Sequence, residues 1–177
     1  YWHSRQSRLD CRDLLCADWI KTPMKIRKAR ASDVSAIFAI RSRVRENHLS
    51  ADQLAERGIT KTAFGKWITD GYGIWVADID GAAAGFAIAI PKEATLWALF
   101  VDPDFEGRGV GAALLRVAEE WLFAQGCEDI SLTTEADPKI RAHGFYESHG
   151  WHCTGDADKG QIEYVKSNPT LSLFDFR

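Results

Sequence analysis

The stretch from Leu96 to Gly126, LWALFVDPDFEGRGVGAALLRVAEEWLFAQG, constrains what the chain can fold into more than any other. Leu96 to Val101 is a short apolar run bounded by Pro103, the pattern of a buried strand. Asp102, Pro103 and Asp104 interrupt it with turn chemistry. Gly107, Gly109 and Gly111 follow at alternate positions. Helical periodicity then sets in, with Val110, Leu114, Val117, Ala118, Trp121 and Leu122 on one face and Arg116, Glu119, Glu120 and Gln125 off it. Gly126 stands where a helix C-terminus needs a residue free to take positive φ.

Such a join has a chemical consequence. The first N–H groups of a helix lack intrahelical acceptors and carry partial positive charge. Glycines let an anion approach them unobstructed, so a strand entering a helix through this loop makes a phosphate seat. A plain tight turn is the other reading, because a glycine cluster alone is a weak signal. The dinucleotide spacing Gly-x-Gly-x-x-Gly is absent, since Leu114 follows Gly109 and Gly111, and no Gly-Lys-Ser/Thr marks a nucleotide-triphosphate loop.

The remaining constraints are broad. A chain of 177 residues reads as one domain, and 46% hydrophobic with 27% charged residues is ordinary for a soluble globule. A net charge of −3 leaves no footprint for nucleic acid, and no apolar run is long enough to span a membrane. The residues before Met24 lack the apolar stretch of a signal peptide. Cys11, Cys16, Cys127 and Cys153 show no close paired spacing, which favours neither zinc nor a disulfide framework, and the cytoplasm is the simplest compartment.

Taken in order, residues 1–23 read as an extension outside the core, with a short helix from Arg8 to Ile20 as the alternative. The domain is expected over 24–166, with 167–177 a tail whose Leu171, Leu173, Phe174 and Phe176 alternate without an assignable place. Lys25 to Ala29 suits an edge strand. Ser32-Asp33 offers an N-cap to a helix carrying Val34, Ile37, Phe38 and Ile40 and reaching about Arg45. A loop from Glu46 to Ser50, a helical turn over Asp52 to Arg57 and a second helix over Thr60 to Thr69, with Phe64, Trp67 and Ile68 inward, come next. Ile74 to Ile79 and Ala84 to Ile90 form a hairpin about Asp80-Gly81. After a turn at Pro91, Lys92 and Glu93 comes the central strand. Beyond Gly126, Ile130 to Thr134 is a strand. Asp137-Pro138 is expected to open a helix to about Ser148, and Trp151 to Thr154 pairs with Gln161 to Lys166 around a turn from Gly155 to Gly160.

Two segments carry a resemblance. Leu99, Val101 and Pro103, followed by Gly109 and Gly111, resemble the acyl-CoA-binding motif of the GNAT family of N-acetyltransferases, Gln/Arg-x-x-Gly-x-Gly/Ala after a strand of the form Leu-x-Val-x-Pro. Glu106 stands where that family has Gln or Arg. Its acid is tolerable beside a diphosphate if the loop binds through its backbone and the side chain points away, with Arg108 and Arg116 close in sequence to offset it. Ala142, Phe145, Tyr146, Gly150 and Trp151 resemble the second signature, Asn-x-x-Ala-x-x-Phe-Tyr-x-x-x-Gly-Phe, with Lys139 in place of Asn. The resemblance covers 24–166. It implies an α/β (α+β) fold with a mixed, mainly antiparallel sheet and helices on both faces. It also implies acetyl-CoA as co-substrate without a metal, an amine acceptor as the other partner, and a homodimer as a candidate assembly. Leu99, Phe100, Val101, Glu106, Gly107, Arg108, Gly109, Val110, Gly111 and Ala112 would then hold the cofactor.

Acetyl transfer from a thioester to an amine needs a deprotonated amine, a stabilised oxyanion and a leaving thiolate. The resemblance gives Tyr146 the role of general acid and a backbone N–H near Phe100 or Val101 that of oxyanion donor; packing on the sheet is the plainer reading of Tyr146. For the base, Glu93 precedes the central strand, Glu46 and His48 lie after the first helix, and Glu163 lies on the late strand pair. Each is more simply a solvated charge, and water can carry the proton. His143, His149 and His152 invite a metal reading that the chemistry does not need. Trp67, Trp75 and Trp97 belong to the core or to an acceptor cleft. An enzyme acetylating a small-molecule or peptide amine and a non-catalytic acyl-CoA-binding module are the two functional classes left.

Overall fold

The computed structural model describes residues 23–46, 49–157 and 160–170. The expectations for an Arg8–Ile20 helix, Cys11, Cys16, His48 and the alternation after Thr170 lie outside these residues. The elements run β1 (Lys25–Lys28), α1 (Val34–Arg43), α2 (Ala51–Glu56), α3 (Lys61–Thr69), β2 (Gly73–Ile79), β3 (Ala82–Ile90), β4 (Thr95–Val101), α4 (Val110–Ala124), β5 (Asp129–Glu135), α5 (Ala142–Ser148), β6 (His152–Ala157) and β7 (Gln161–Ser167). Seven strands form one sheet in the order β1-β2-β3-β4-β5-β7-β6. Every neighbouring pair is antiparallel except β4 and β5.

Period-two alternation divides the sheet between two cores. Trp75, Ala77 and Ile79 of β2 and Ala87 and Ala89 of β3 face α4, where they meet Leu114, Leu115, Ala118 and Leu122. Ile74 and Val76, Phe86 and Ile88 face the other way, onto Ile37 and Ile40 of α1 and Phe64 of α3. Both faces are covered, so β2 and β3 read in sequence as near-continuous apolar runs. The hairpin forms at Asp80-Gly81, both at positive φ. Among the described residues no helix is long and apolar enough to cross a membrane.

Three local expectations are corrected. Asp33 does not cap α1. Its carboxylate reaches back to accept from the Arg30 amide at 2.7 Å and from both terminal nitrogens of Arg27 at 2.7 and 2.9 Å, tying the start of α1 to β1. No helix opens at Pro138. Asp137 instead takes the Lys139 amide on Oδ1 and the Ile140 amide on its carbonyl, each at 3.0 Å, closing a turn, and α5 begins at Ala142. The late hairpin does not turn at Gly155. β6 runs on to Ala157, absorbing Gly155 in a register shift, and β7 lies between β5 and β6.

Candidate active site

The site is made by the way two strands part. β4 pairs with β3 along its length, but its pairing with parallel β5 is confined to Thr95 opposite Ser131. Ile88 lies opposite Ala98 and Ala89 opposite Leu96, so Trp97 is an extra residue on β4, and a bulge there bends the strand. Beyond the bulge, the Asp102 amide donates to the Ala84 carbonyl at 2.9 Å. In an antiparallel ladder hydrogen-bonded residues alternate. Phe100 therefore turns its main-chain groups to β3, while Leu99 and Val101 turn theirs to the side that β5 has left. Of the amides named from sequence as oxyanion donor, Val101's is available and Phe100's is not.

The opening is a cavity of about 430 Å³ that runs from β4 and β5 to the start of α4 and the inner side of α5. Leu99, Phe100 and Val101 line it, as do Glu106, Gly107, Gly109, Val110, Gly111, Ala112 and Tyr146. Arg108 and Glu93 are not in its wall. Arg108 is exposed, with its guanidinium 5.2 Å from the Phe105 ring, and Glu93 is exposed in the turn before β4.

Gly107 and Gly109 take φ of +72° and +79°, a conformation costly to any residue with a Cβ. The first amide of α4 bonded within the chain is that of Ala113, to the Gly109 carbonyl at 3.1 Å. The N–H groups from Gly107 to Ala112 have no acceptor among the described residues, which makes the mouth of α4 a row of unpaired donors. The loop is braced from below. Asp102 accepts from the Asp104 amide at 3.0 Å and from Arg43 at 2.7 Å, and Arg43 also holds Asp104 at 2.7 Å, pinning the end of α1 to the turn.

Glu106 accepts from no loop amide, but it stays in the cavity wall, held there by a cation. Arg141, just before α5, donates to its two oxygens at 2.9 and 3.1 Å and to Glu46 at 2.9 Å. This holds the Glu106 carboxyl below the usual carboxylate range and raises Arg141. The offsetting cation is thus Arg141, not Arg108 or Arg116; Arg116 pairs with Glu120 at 3.7 Å on the outer face of α4.

Tyr146 is 8% exposed, its ring packed in the α4 core at 5.3 Å from Phe145 and 6.0 Å from Trp151. Its hydroxyl makes no hydrogen bond to a described residue, and burial pushes its pKa well above the ordinary phenol range. Packing and an available O–H therefore coexist. Glu46 lines the cavity within its ion pair, whereas Glu163 on β7 accepts from Thr154 at 3.1 Å outside the wall. Trp97 is 41% exposed at the bulge, against Trp67 at 5.4 Å, and Trp75 is core on the opposite face against Trp121. His143 bonds Tyr164 and the Asp137 carbonyl, and His149 the Phe145 carbonyl. Among the described residues no three His, Cys, Asp or Glu cluster as metal ligands.

The model of the family described as "Acetyltransferase (GNAT) family" matches residues 34–151. Human N-acetylaspartate synthetase is 35% identical over 103 residues, covering 56% of this chain and 32% of that protein. The mycothiol acetyltransferase of Clavibacter michiganensis is 28% identical over 109 residues, 60% of this chain and 36% of its own length. The chain thus spans about a third of the length of these relatives. Among solved structures, the PaiA N-acetyltransferase of Thermoplasma acidophilum, in complex with coenzyme A, superposes with a TM-score of 0.71 at 18% identity, over 82% of this chain and 99% of the other.

Proposed function

The chain belongs to the GNAT family of acetyltransferases, and from that premise we propose that it transfers the acetyl group of acetyl-CoA to a primary amine by direct attack in a ternary complex. The observation that carries this is the continuity of one cavity. It joins the free main-chain edge of Leu99 and Val101, the unpaired amides from Gly107 to Ala112, and the Tyr146 hydroxyl. The main-chain edge suits the amides of a pantetheine arm, which adds there as an extra strand would. The α4 mouth suits the diphosphate. The PaiA N-acetyltransferase, which has the same fold, was solved in complex with coenzyme A. Residues 24–166 constitute the catalytic domain.

Acetyl-CoA supplies an activated thioester. The chain's own groups do the rest. The Val101 N–H points where negative charge develops on the carbonyl oxygen, a preorganised donor in a partly dry site. Tyr146 holds a proton for the departing sulfur, and a raised pKa keeps it there across the neutral and mildly alkaline range. The acceptor, with an amine pKa near 10.4 in the lysine-like case, loses its proton to water or to Glu46, which faces the cavity. Among the described residues no cysteine or serine lines the cavity, and direct attack needs no acyl-enzyme. The hydroxyl held free at Tyr146 favours turnover over a module that only binds acyl-CoA.

Two measurements on the full chain test this. Calorimetry with acetyl-CoA should show saturable binding, and thiol release should depend on an added amine. Binding without thiol release across an amine panel would make the protein a binding module, and no binding would remove both readings.

A further inference from the structure

A second cavity of about 350 Å³ lies between α1, α2, α3 and the sheet. It shares Leu96, Trp97, Ala98, Phe100 and Thr133 with the first, so the two cavities border the same segment of β4 at its bulge. Its wall is about half polar by surface although most of its lining residues are apolar, and its charged side chains are Arg41 and Arg57. Arg41 is 8% exposed, with its guanidinium 4.4 Å from the Phe100 ring centre. Its Nη1 is the one buried side-chain polar atom among the described residues without a hydrogen-bond partner. Arg57 is exposed and makes no side-chain hydrogen bond or ion pair to a described residue. Glu135 reaches Arg41 only through its field, against the opposing field of Arg57.

A guanidinium nitrogen buried without a partner destabilises a fold unless something else satisfies it. Arg41 could be replaced by an apolar side chain stacking equally well on Phe100, so its charge calls for an anion from outside the chain. We propose that the acceptor is a carboxylate-bearing amine, a free amino acid or a short peptide with a free carboxylate. Arg41 receives the carboxylate, Arg57 adds a second cation, and the amine points past Trp97 toward the first cavity. A planar, singly charged carboxylate matches the fork of a guanidinium seated over a ring. The inference rests on acyl-CoA occupying the first cavity.

The test uses the full chain with saturating acetyl-CoA and reads thiol release. The probes are the twenty L-amino acids, their carboxamides and aminoalkyl phosphates of matching length. At least one amino acid should turn over with kcat/KM about 100-fold above its carboxamide, since the site would otherwise be left with an unpaired buried charge. Arg41→Leu should raise the KM for that amino acid tenfold or more while leaving the calorimetric Kd of acetyl-CoA unchanged, and Arg41→Lys should recover part of the loss. Without ligand, Arg41→Leu should melt at a higher temperature than the wild type. Equal use of acids and carboxamides, a preference for phosphates, or no turnover of any amino acid despite acetyl-CoA binding would overturn the proposal. So would an Arg41→Leu variant that melts lower with KM unchanged, which would make Arg41 a structural residue. Loss of acetyl-CoA binding by the wild type would instead strike the underlying acyl-CoA reading.

Discussion

Arg141 grips Glu106 with both terminal nitrogens, at 2.9 and 3.1 Å, and so neutralises an acid beside the unpaired amides of the glycine loop. Arg141→Ala would leave the carboxylate unneutralised beside the diphosphate and should weaken acetyl-CoA about tenfold by calorimetry, roughly 1.4 kcal/mol. Glu106→Gln should tighten it, and the double variant should return near the wild type, as coupled neighbours do. The pH dependence follows from the depressed Glu106 pKa. The pair's contribution is complete above the ordinary, unfolded carboxyl pKa and is lost as pH falls through the lower folded value. Wild type and Glu106→Gln should therefore differ in melting temperature at neutral pH and converge in acid.

Tyr146→Phe separates catalysis from packing. The ring keeps its contacts with Phe145 and Trp151, and the lost hydroxyl has no partner among the described residues. Stability should hold or rise slightly, acetyl-CoA affinity should be unchanged, and kcat should fall about 100-fold, the lower range for a lost general acid. Because burial raises the Tyr146 pKa, its proton is not lost near pH 10, and the wild-type rate should show no alkaline decline there from this group.

What the sequence disclosed and what it hid follow a physical division. The Asp80-Gly81 hairpin, the glycine loop and the apolar faces of α3 and α4 are local patterns, and the structure has them where the residues put them. The bulge at Trp97 leaves no mark in TLWALFV, an unbroken apolar run whichever strand it pairs with, yet that bulge accompanies the opening of the cavity. Arg141 was hidden because its partners, Glu106 and Glu46, are 35 and 95 positions away. The acid at Glu106 was itself the signal, since an acid in that loop demands a cation from a facing element. Arg41 was masked differently: a helical arginine between Ile40 and Ser42 reads as surface, and only packing shows it to be buried.

Two loop glycines should respond differently to the same change. Gly109 sits at φ +79°, so Gly109→Ala forces a left-handed alanine, costing about 1 kcal/mol, and shifts the amides it precedes. Both the unfolding midpoint and acetyl-CoA affinity should fall. Gly111 has helical backbone, and an added Cβ would meet Phe145 at 3.5 Å and Val101 at 3.6 Å, ordinary contact distances. Gly111→Ala should leave stability within about 0.5 kcal/mol, the range of undisruptive substitutions. Equal losses at the two positions in denaturant titration would contradict this account of the loop.

Glu119 belongs by periodicity to the polar side of α4, but it is inside a polar knot about two turns along the helix from the cavity-lining Ala112. Its Oε1 accepts from the Trp151 indole at 2.6 Å and its Oε2 from Lys166 at 2.7 Å, with 12% of its side chain exposed. Lys166 also donates to the His149 carbonyl at 2.9 Å, so the knot joins α4, the end of α5 and β7. Glu119→Ala would strand the N–H of a tryptophan that is 1% exposed and an ammonium that is mostly covered. Stranding both should cost about 3 kcal/mol in urea unfolding. Glu119→Gln keeps an acceptor for the indole and should cost less than half as much. Because Glu119 is not in the cavity wall, acetyl-CoA affinity measured well below the unfolding transition should match the wild type. A Glu119→Ala protein that was stable but bound acetyl-CoA weakly would mean that α4 transmits strain from this knot to its N-terminal amides.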